Sequence, residues 1–232
     1  MLQQKRLKDY GINIGQMKPG KKNSITDVSG VQVGHSTIQE GSNQTGVTAI
    51  LPHPGNIFQE KVIGAIHVIN GFGKTVGTVQ IDELGTIETP ILLTNTLSVG
   101  TVSDSLIDYM LESNPEIGRT TGTINPVVGE CNDMILNDIR ERAITKKHVI
   151  EALSHASDEF LEGADGAGRG MVCYSLKGGI GTSSRTLTIG QQKYTLGVLV
   201  LSNFGQLSDL TINGRTIGLE LEQHLNDSQT PD

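Results

Sequence analysis

The stretch Gly178-Gly179-Ile180-Gly181-Thr182-Ser183-Ser184-Arg185, read with the apolar run 196–201 and with Ser202-Asn203-Phe204-Gly205 behind it, decides the fold. A glycine-dense turn leads to a wholly apolar strand, and that strand delivers an amide side chain at its end. Such a layout suits a rigid sheet holding a hydrogen-bond donor over a reacting group. No convincing nucleophile accompanies it elsewhere in the chain. The stretch reads as one half of an active site.

The surrounding pattern is strand-rich. Residues 24–38 read as extended, with Ile25, Val28, Val31, Val33 and Ile38 punctuated by Gly30 and Gly34. Residues 45–51 and 61–69 are further β-rich runs, and 90–94 is a short buried strand. Helical spacing appears at Val99, Val102, Leu106, Ile107 and Met110 and stops before Pro115. A second helix fits residues 146–160, with Thr145 as N-cap, a stripe from Val149 to Phe160, and Gly163 as stop. Strand patterns return at 171–176, 182–189, 194–201 and 210–221, and the tail 226–232 is polar. Strand clusters around two helices, without βαβ alternation, predict an α+β layered sandwich.

Composition narrows the function. The 232 residues suffice for one substantial domain over 1–232. Aromatics are only 3% and Trp is absent, so Ile, Val, Leu and Ala must build the core. The 29 glycines lie between apolar strands, which marks tight turns and close packing rather than disorder. A net charge of −7, with no Lys/Arg block longer than two, argues against nucleic-acid binding. No apolar run is long enough to span a membrane, and the first twenty residues lack a signal core, so a cytoplasmic protein is expected. Cys131 and Cys173 are expected to be two free thiols.

Familiar catalytic motifs fail on spacing. Gly73-Lys74-Thr75 lacks the leading glycine of a phosphate loop, and Gly166-Ala167-Gly168-Arg169-Gly170 misses the last dinucleotide-loop spacing. No Gly-x-Ser-x-Gly elbow exists. His148 and His155 lie too far apart on one helix to share a metal, so no metal or cofactor is expected. Glu130 ends the apolar run 126–129. There it either meets a substrate's ammonium group or acts as the N-terminal acid of a helix over 134–140. Asn203 either donates to an oxyanion or is a turn asparagine. Lys177 and Arg185 are expected to pair with carboxylates or pack their stems. Residues 70–73 form a bent loop whose backbone approaches something closely, and Glu83 and Glu88 are either a carboxylate pair or a solvated face.

Ordered motifs across residues 24–220 carry a family resemblance. They are Asp27-Val28-Ser29-Gly30-Val31-Gln32-Val33-Gly34-His35, Thr45-Gly46-Val47-Thr48, Asn70-Gly71-Phe72-Gly73-Lys74 and Glu83-Leu84-Gly85-Thr86. Thr89-Pro90-Ile91-Leu92-Leu93-Thr94-Asn95-Thr96, Gly129-Glu130, Asn132-Asp133, Leu136-Asn137-Asp138, the stretch 177–185 and Ser202-Asn203-Phe204-Gly205 complete them. The chain resembles the self-processing aminopeptidases that include L-aminopeptidase/D-amidase-esterase and β-peptidyl aminopeptidase. The resemblance implies a four-layer αββα sandwich, like the N-terminal-nucleophile hydrolases but with different strand connectivity. It implies a precursor that cuts itself, this chain being the α-subunit that ends just before the cut. The nucleophile is then the new N-terminal Ser or Thr of a β-subunit, in an (αβ)4 assembly acting on a small peptide or amino-acid amide. By position, Glu130 would hold the substrate's free amine and Asn203 would line the oxyanion hole. Some relatives carry a tyrosine at position 132 that assists the oxyanion; here Asn132 offers an amide. A related ornithine-acetyltransferase-like enzyme and a non-catalytic scaffold subunit are the alternatives.

Overall fold

A computed structural model describes residues 5–227. Two long strands open the first sheet: β1 (Gln32–Glu40) and β2 (Asn43–Leu51) pair antiparallel. A short strand β3 (Val62–Ile63) follows, then helix α1 (Thr78–Leu84) and strand β4 (Thr86–Ile87), which pairs with β3. Strand β5 (Ile91–Asn95) runs antiparallel to β2, and helix α2 (Val99–Ser113) returns the chain to β6 (Val127–Cys131), parallel to β5. The sheet order is therefore β1-β2-β5-β6. Helix α3 (Lys146–Ser154) precedes the two-residue strands β7 (Val172–Cys173) and β8 (Leu176–Lys177). The long hairpin β9 (Gly179–Ile189) and β10 (Gln192–Ser202) and helix α4 (Ile217–Asp227) complete the described elements.

Helices α2 and α3 cover one face of the four-stranded sheet. Val47, Ala49, Leu92 and Val128 point to that face and form one core with Val102, Leu106, Met110, Val149, Ala152 and Leu153. The two helical stripes that the sequence spacing predicts are thus the surface that the sheet buries. The opposite face of β1 and β2 meets the turn Gly166–Gly168, which in turn packs on the hairpin β9–β10. Thr48 Oγ1 accepts from the Ala167 amide at 3.1 Å there, and Thr37 Oγ1 accepts from Gly166 at 2.8 Å. The layer order is helix, sheet, hairpin.

Several local expectations change. The extended run from residue 24 begins as a 3₁₀ turn at Ile25–Asp27, because Asp27 gathers the Lys22 and Ser24 amides and the Ser184 hydroxyl. Helix α3 starts at Lys146 as expected, and His148 Nδ1 takes the Thr145 amide at 3.0 Å. It stops at Ser154 rather than Phe160, since Ser157 exchanges two backbone hydrogen bonds with Val33 at the edge of β1. Phe160 packs edge-on against His35 instead. The run 61–69 forms only β3, and its remainder continues as a loop with Val68 and Ile69 exposed. The run 171–176 is a tight hairpin, with Tyr174 and Ser175 both at positive φ.

The run 210–221 is not a strand. Asn213 and Gly214 at positive φ turn it back on itself, and Ile217, Leu221 and Leu225 then follow helical spacing in α4. Of the polar tail 226–232, the first two residues end α4 and the rest lie outside the described residues. The glycine stretch at 178–181 is no turn either. Gly179, at φ 141°, opens β9 with its α-carbon against the Gly163 carbonyl, where any Cβ would collide. The turn before the apolar strand lies at Gly190–Gln191 instead.

Candidate active site

The C-terminal ends of β5, β6 and β10 converge. Cys131 Sγ, at the end of β6, donates to the Leu201 carbonyl near the end of β10 at 3.6 Å. Glu130 and Asn203 each lie within two residues of this junction.

Glu130 is a strand residue, half-buried, in parallel register with Thr94. Its two carboxylate oxygens have separate donors. Thr96 Oγ1, just past β5, donates to Oε2, and the Lys74 backbone amide donates to Oε1 at 2.9 Å. Among the described residues no cation lies within ion-pair distance of it. The helix expected over 134–140 is absent: residues 133–137 make a turn, followed by a 3₁₀ segment at Ile139–Glu141. The helix-terminal account of Glu130 therefore falls. A carboxylate fixed by two neutral donors and lacking a counter-charge is a ready acceptor for an ammonium group. The bent loop 70–73 is what brings the Lys74 amide there; Asn70 Oδ1 accepts from the Phe72 amide at 3.0 Å and holds the bend.

Asn203 follows β10 directly. Its Nδ2 donates to the Asn132 carbonyl at 2.6 Å and, with its second N–H, to the weak acceptor Met171 Sδ at 3.5 Å. The two asparagines thus meet through the backbone of 132. The Asn132 side chain turns away and accepts from the Met134 amide at 3.0 Å.

The remaining candidates separate. Glu88 is buried against Asn125 and Lys61, while Glu83 is exposed, so they form no carboxylate pair. Among the described residues, Lys177 and Arg185 meet no carboxylate. Arg185 binds Asn23, Ser183 and the Ser184 carbonyl, and the Lys177 ammonium donates to three backbone carbonyls. Burial, with the neighbouring Arg169 charge, pushes Lys177 down to about 8. Burial, then the Glu130 charge, pushes the Cys131 thiol up to about 11, which leaves it a poor nucleophile at neutral pH. No cluster of three potential metal ligands occurs among the described residues. Sequence spacing does not reveal Thr96 as a partner of Glu130; the parallel register of β5 and β6 is what joins them.

Residues 23–230 match peptidase family S58. This chain belongs to that family. It is 41% identical over 228 residues to the β-peptidyl aminopeptidase BapA of Sphingosinicella xenopeptidilytica, covering 94% of this chain and 56% of that protein. The PH0078 protein of Pyrococcus horikoshii OT3 superposes with a TM-score of 0.92 at 55% identity, over 94% of this chain and 64% of its own. An L-aminopeptidase D-Ala-esterase/amidase from Ochrobactrum anthropi, described as a prototype of the serine aminopeptidases and a variant of the Ntn-hydrolase fold, gives 0.86 at 36% identity. It is matched over 96% of this chain and 63% of its own. The fold is therefore the N-terminal-nucleophile type of sandwich that the sequence motifs imply. The chain spans little more than half the length of BapA. No helix among the described residues is long and apolar enough to cross a membrane.

Proposed function

We propose that this chain is the α-subunit, a single domain over residues 1–232, of a self-cleaving aminopeptidase or amidase that hydrolyses the amide next to a free N-terminal amine. The observation that carries the reading is the Glu130 carboxylate, held by Thr96 and the Lys74 amide and, among the described residues, left without a cation. The substrate's ammonium group completes that site, and the amide to be cut then lies toward Asn203. Asn203 stabilises the oxyanion with the N–H that otherwise meets the weak acceptor Met171 Sδ, and the Asn132 carbonyl aims its amide. The attacking hydroxyl belongs to the N-terminal Ser or Thr of a β-subunit, whose α-amine takes its proton and passes it to the departing amine as the C–N bond breaks and the acyl-enzyme forms. Water then releases the product.

The partner subunit also suits two apolar surfaces. Tyr194, Leu196, Val198 and Val200 stand exposed on one face of β10, and Ile69 and Phe72 are exposed beside the Glu130 loop. An (αβ)4 assembly and a reducing, cytoplasmic setting, in which Cys131 and Cys173 stay free, belong to the same proposal. BapA and the Ochrobactrum anthropi protein are aminopeptidases by name, which weighs against the acyltransferase and scaffold alternatives. Intact-mass measurement of the complete gene product tests the reading. A co-purifying chain that begins with Ser or Thr supports it; a single uncleaved and inactive species refutes it.

A further inference from the structure

We infer that Lys177 is a positioning residue for Asn203. The assignment rests on the reading of Asn203 as the oxyanion donor. Lys177 ends β8 with its stem exposed and its ammonium turned inward. Its Nζ donates to the carbonyls of Gly168 at 2.9 Å, Met171 at 2.9 Å and Gly178 at 2.8 Å. Three donors meet three acceptors, so the ammonium is saturated. Those carbonyls come from three segments: the turn beneath the first sheet, the residue before β7, and the entry to β9. One charge holds all three together.

Apart from its hydrogen bond to the Asn132 carbonyl, Asn203 hangs from that knot. Met171 is fully buried, and its sulfur touches Asn203 Nδ2 at 3.5 Å. Ser202 Oγ donates to the Gly179 carbonyl at 3.0 Å, next to the Lys177-bound Gly178. The Tyr174 amide donates to the Phe204 carbonyl at 2.7 Å, and the two rings meet edge to face. Gly205, at φ 77°, lies close under the Tyr174 ring, where a Cβ would come within 2.7 Å. Both chain neighbours of Asn203, and the amide itself, are thus fixed to the segment that Lys177 closes. The neighbouring cation, Arg169, is engaged by Gln44 Oε1 at 2.8 Å and does not substitute for it. Without the ammonium the Met171 amide still reaches the Gly168 carbonyl and the Gly178 amide the Met171 carbonyl, but the charge that ties these hydrogen bonds together is gone, so the Met171 segment loosens and the Asn203 amide loses its aim. Oxyanion stabilisation depends steeply on such placement.

A double-mutant cycle in the complete protein tests this, with amino-acid p-nitroanilides as substrate; because Asn203→Ala slows self-cleavage, every variant is incubated until intact mass shows processing complete before turnover is measured. Lys177→Met is expected to lower kcat about tenfold with little change in KM, and to lower it less than about twofold further in an Asn203→Ala background. A purely structural lysine gives losses that multiply in full, and that result, or an unchanged kcat in the single variant, overturns the assignment. If Lys177→Met fails to fold, Lys177→Arg takes its place. The planar guanidinium keeps the charge but cannot serve the same three carbonyls, so a kcat loss that vanishes beside Asn203→Ala is expected, and full multiplication again overturns it. A processed wild type that turns over no amine-bearing substrate refutes the reaction itself, and the lysine assignment with it.

Discussion

Replacing Glu130 by glutamine keeps the shape of the side chain and removes its charge. In the native protein both oxygens accept, one from the Thr96 hydroxyl and one from the Lys74 amide. Glutamine offers a single acceptor, which keeps the Lys74 amide, while its NH2 group donates to the Thr96 hydroxyl, which turns from donor to acceptor. The larger effect falls on the substrate. A hydrogen bond to a charged partner contributes about 1.5–3 kcal/mol net, and the half-buried setting of Glu130 keeps the amine pair within that range rather than the lower one of exposed pairs. The expected loss in kcat/KM is roughly 10- to 150-fold. Steady-state hydrolysis of an amino-acid p-nitroanilide measures it, beside an analogue in which a hydroxyl or methyl group replaces the amine. The charge-dependent loss is confined to the amine-bearing substrate. Equal losses on both would refute the reasoning, because they would mean that Glu130 acts on the fold or on the reacting carbonyl.

Asn203→Ala is expected to lower kcat for self-cleavage and for substrate turnover alike, by roughly a hundred- to a thousandfold, since one oxyanion donor is removed. Near-normal processing in an SDS gel time course would contradict it. Cys131 is expected to resist iodoacetamide at pH 7–8, because its thiol is pushed up to about 11 and only the thiolate reacts. The alkylation rate then climbs about tenfold per pH unit until that value, and a plateau near pH 9 in a mass-spectrometric time course would show the thiol to be unshifted.

Local rules account for part of this molecule. The stripe from Val99 to Met110 with Pro115 beyond it, and the Thr145 start of α3, need only helical period and cap chemistry acting over a few residues. The apolar runs at 45–51 and 90–94 declare β2 and β5 because Val, Ile and Leu in such short runs suit a buried sheet. The ordered motifs were legible as a family resemblance, not from period or capping.

Other features depend on partners far along the chain. Helix α3 ends early because Val33, more than a hundred residues upstream, claims Ser157 for the sheet edge. The glycines at 178–181 look like a turn, yet Gly179 and Gly181 lie in β9, and at Gly179 the backbone of Gly163 passes too close for a side chain. Glu130 could have capped a helix. Strand pairing instead set it beside Thr96, and a loop more than fifty residues away brought the Lys74 amide to it. Lys177 reads as a surface cation until the fold delivers three carbonyls to it. Period and capping are decided by neighbours in sequence. The unpaired charge, the saturated ammonium and the forbidden Cβ are decided by which backbone the packed layers bring within hydrogen-bonding distance.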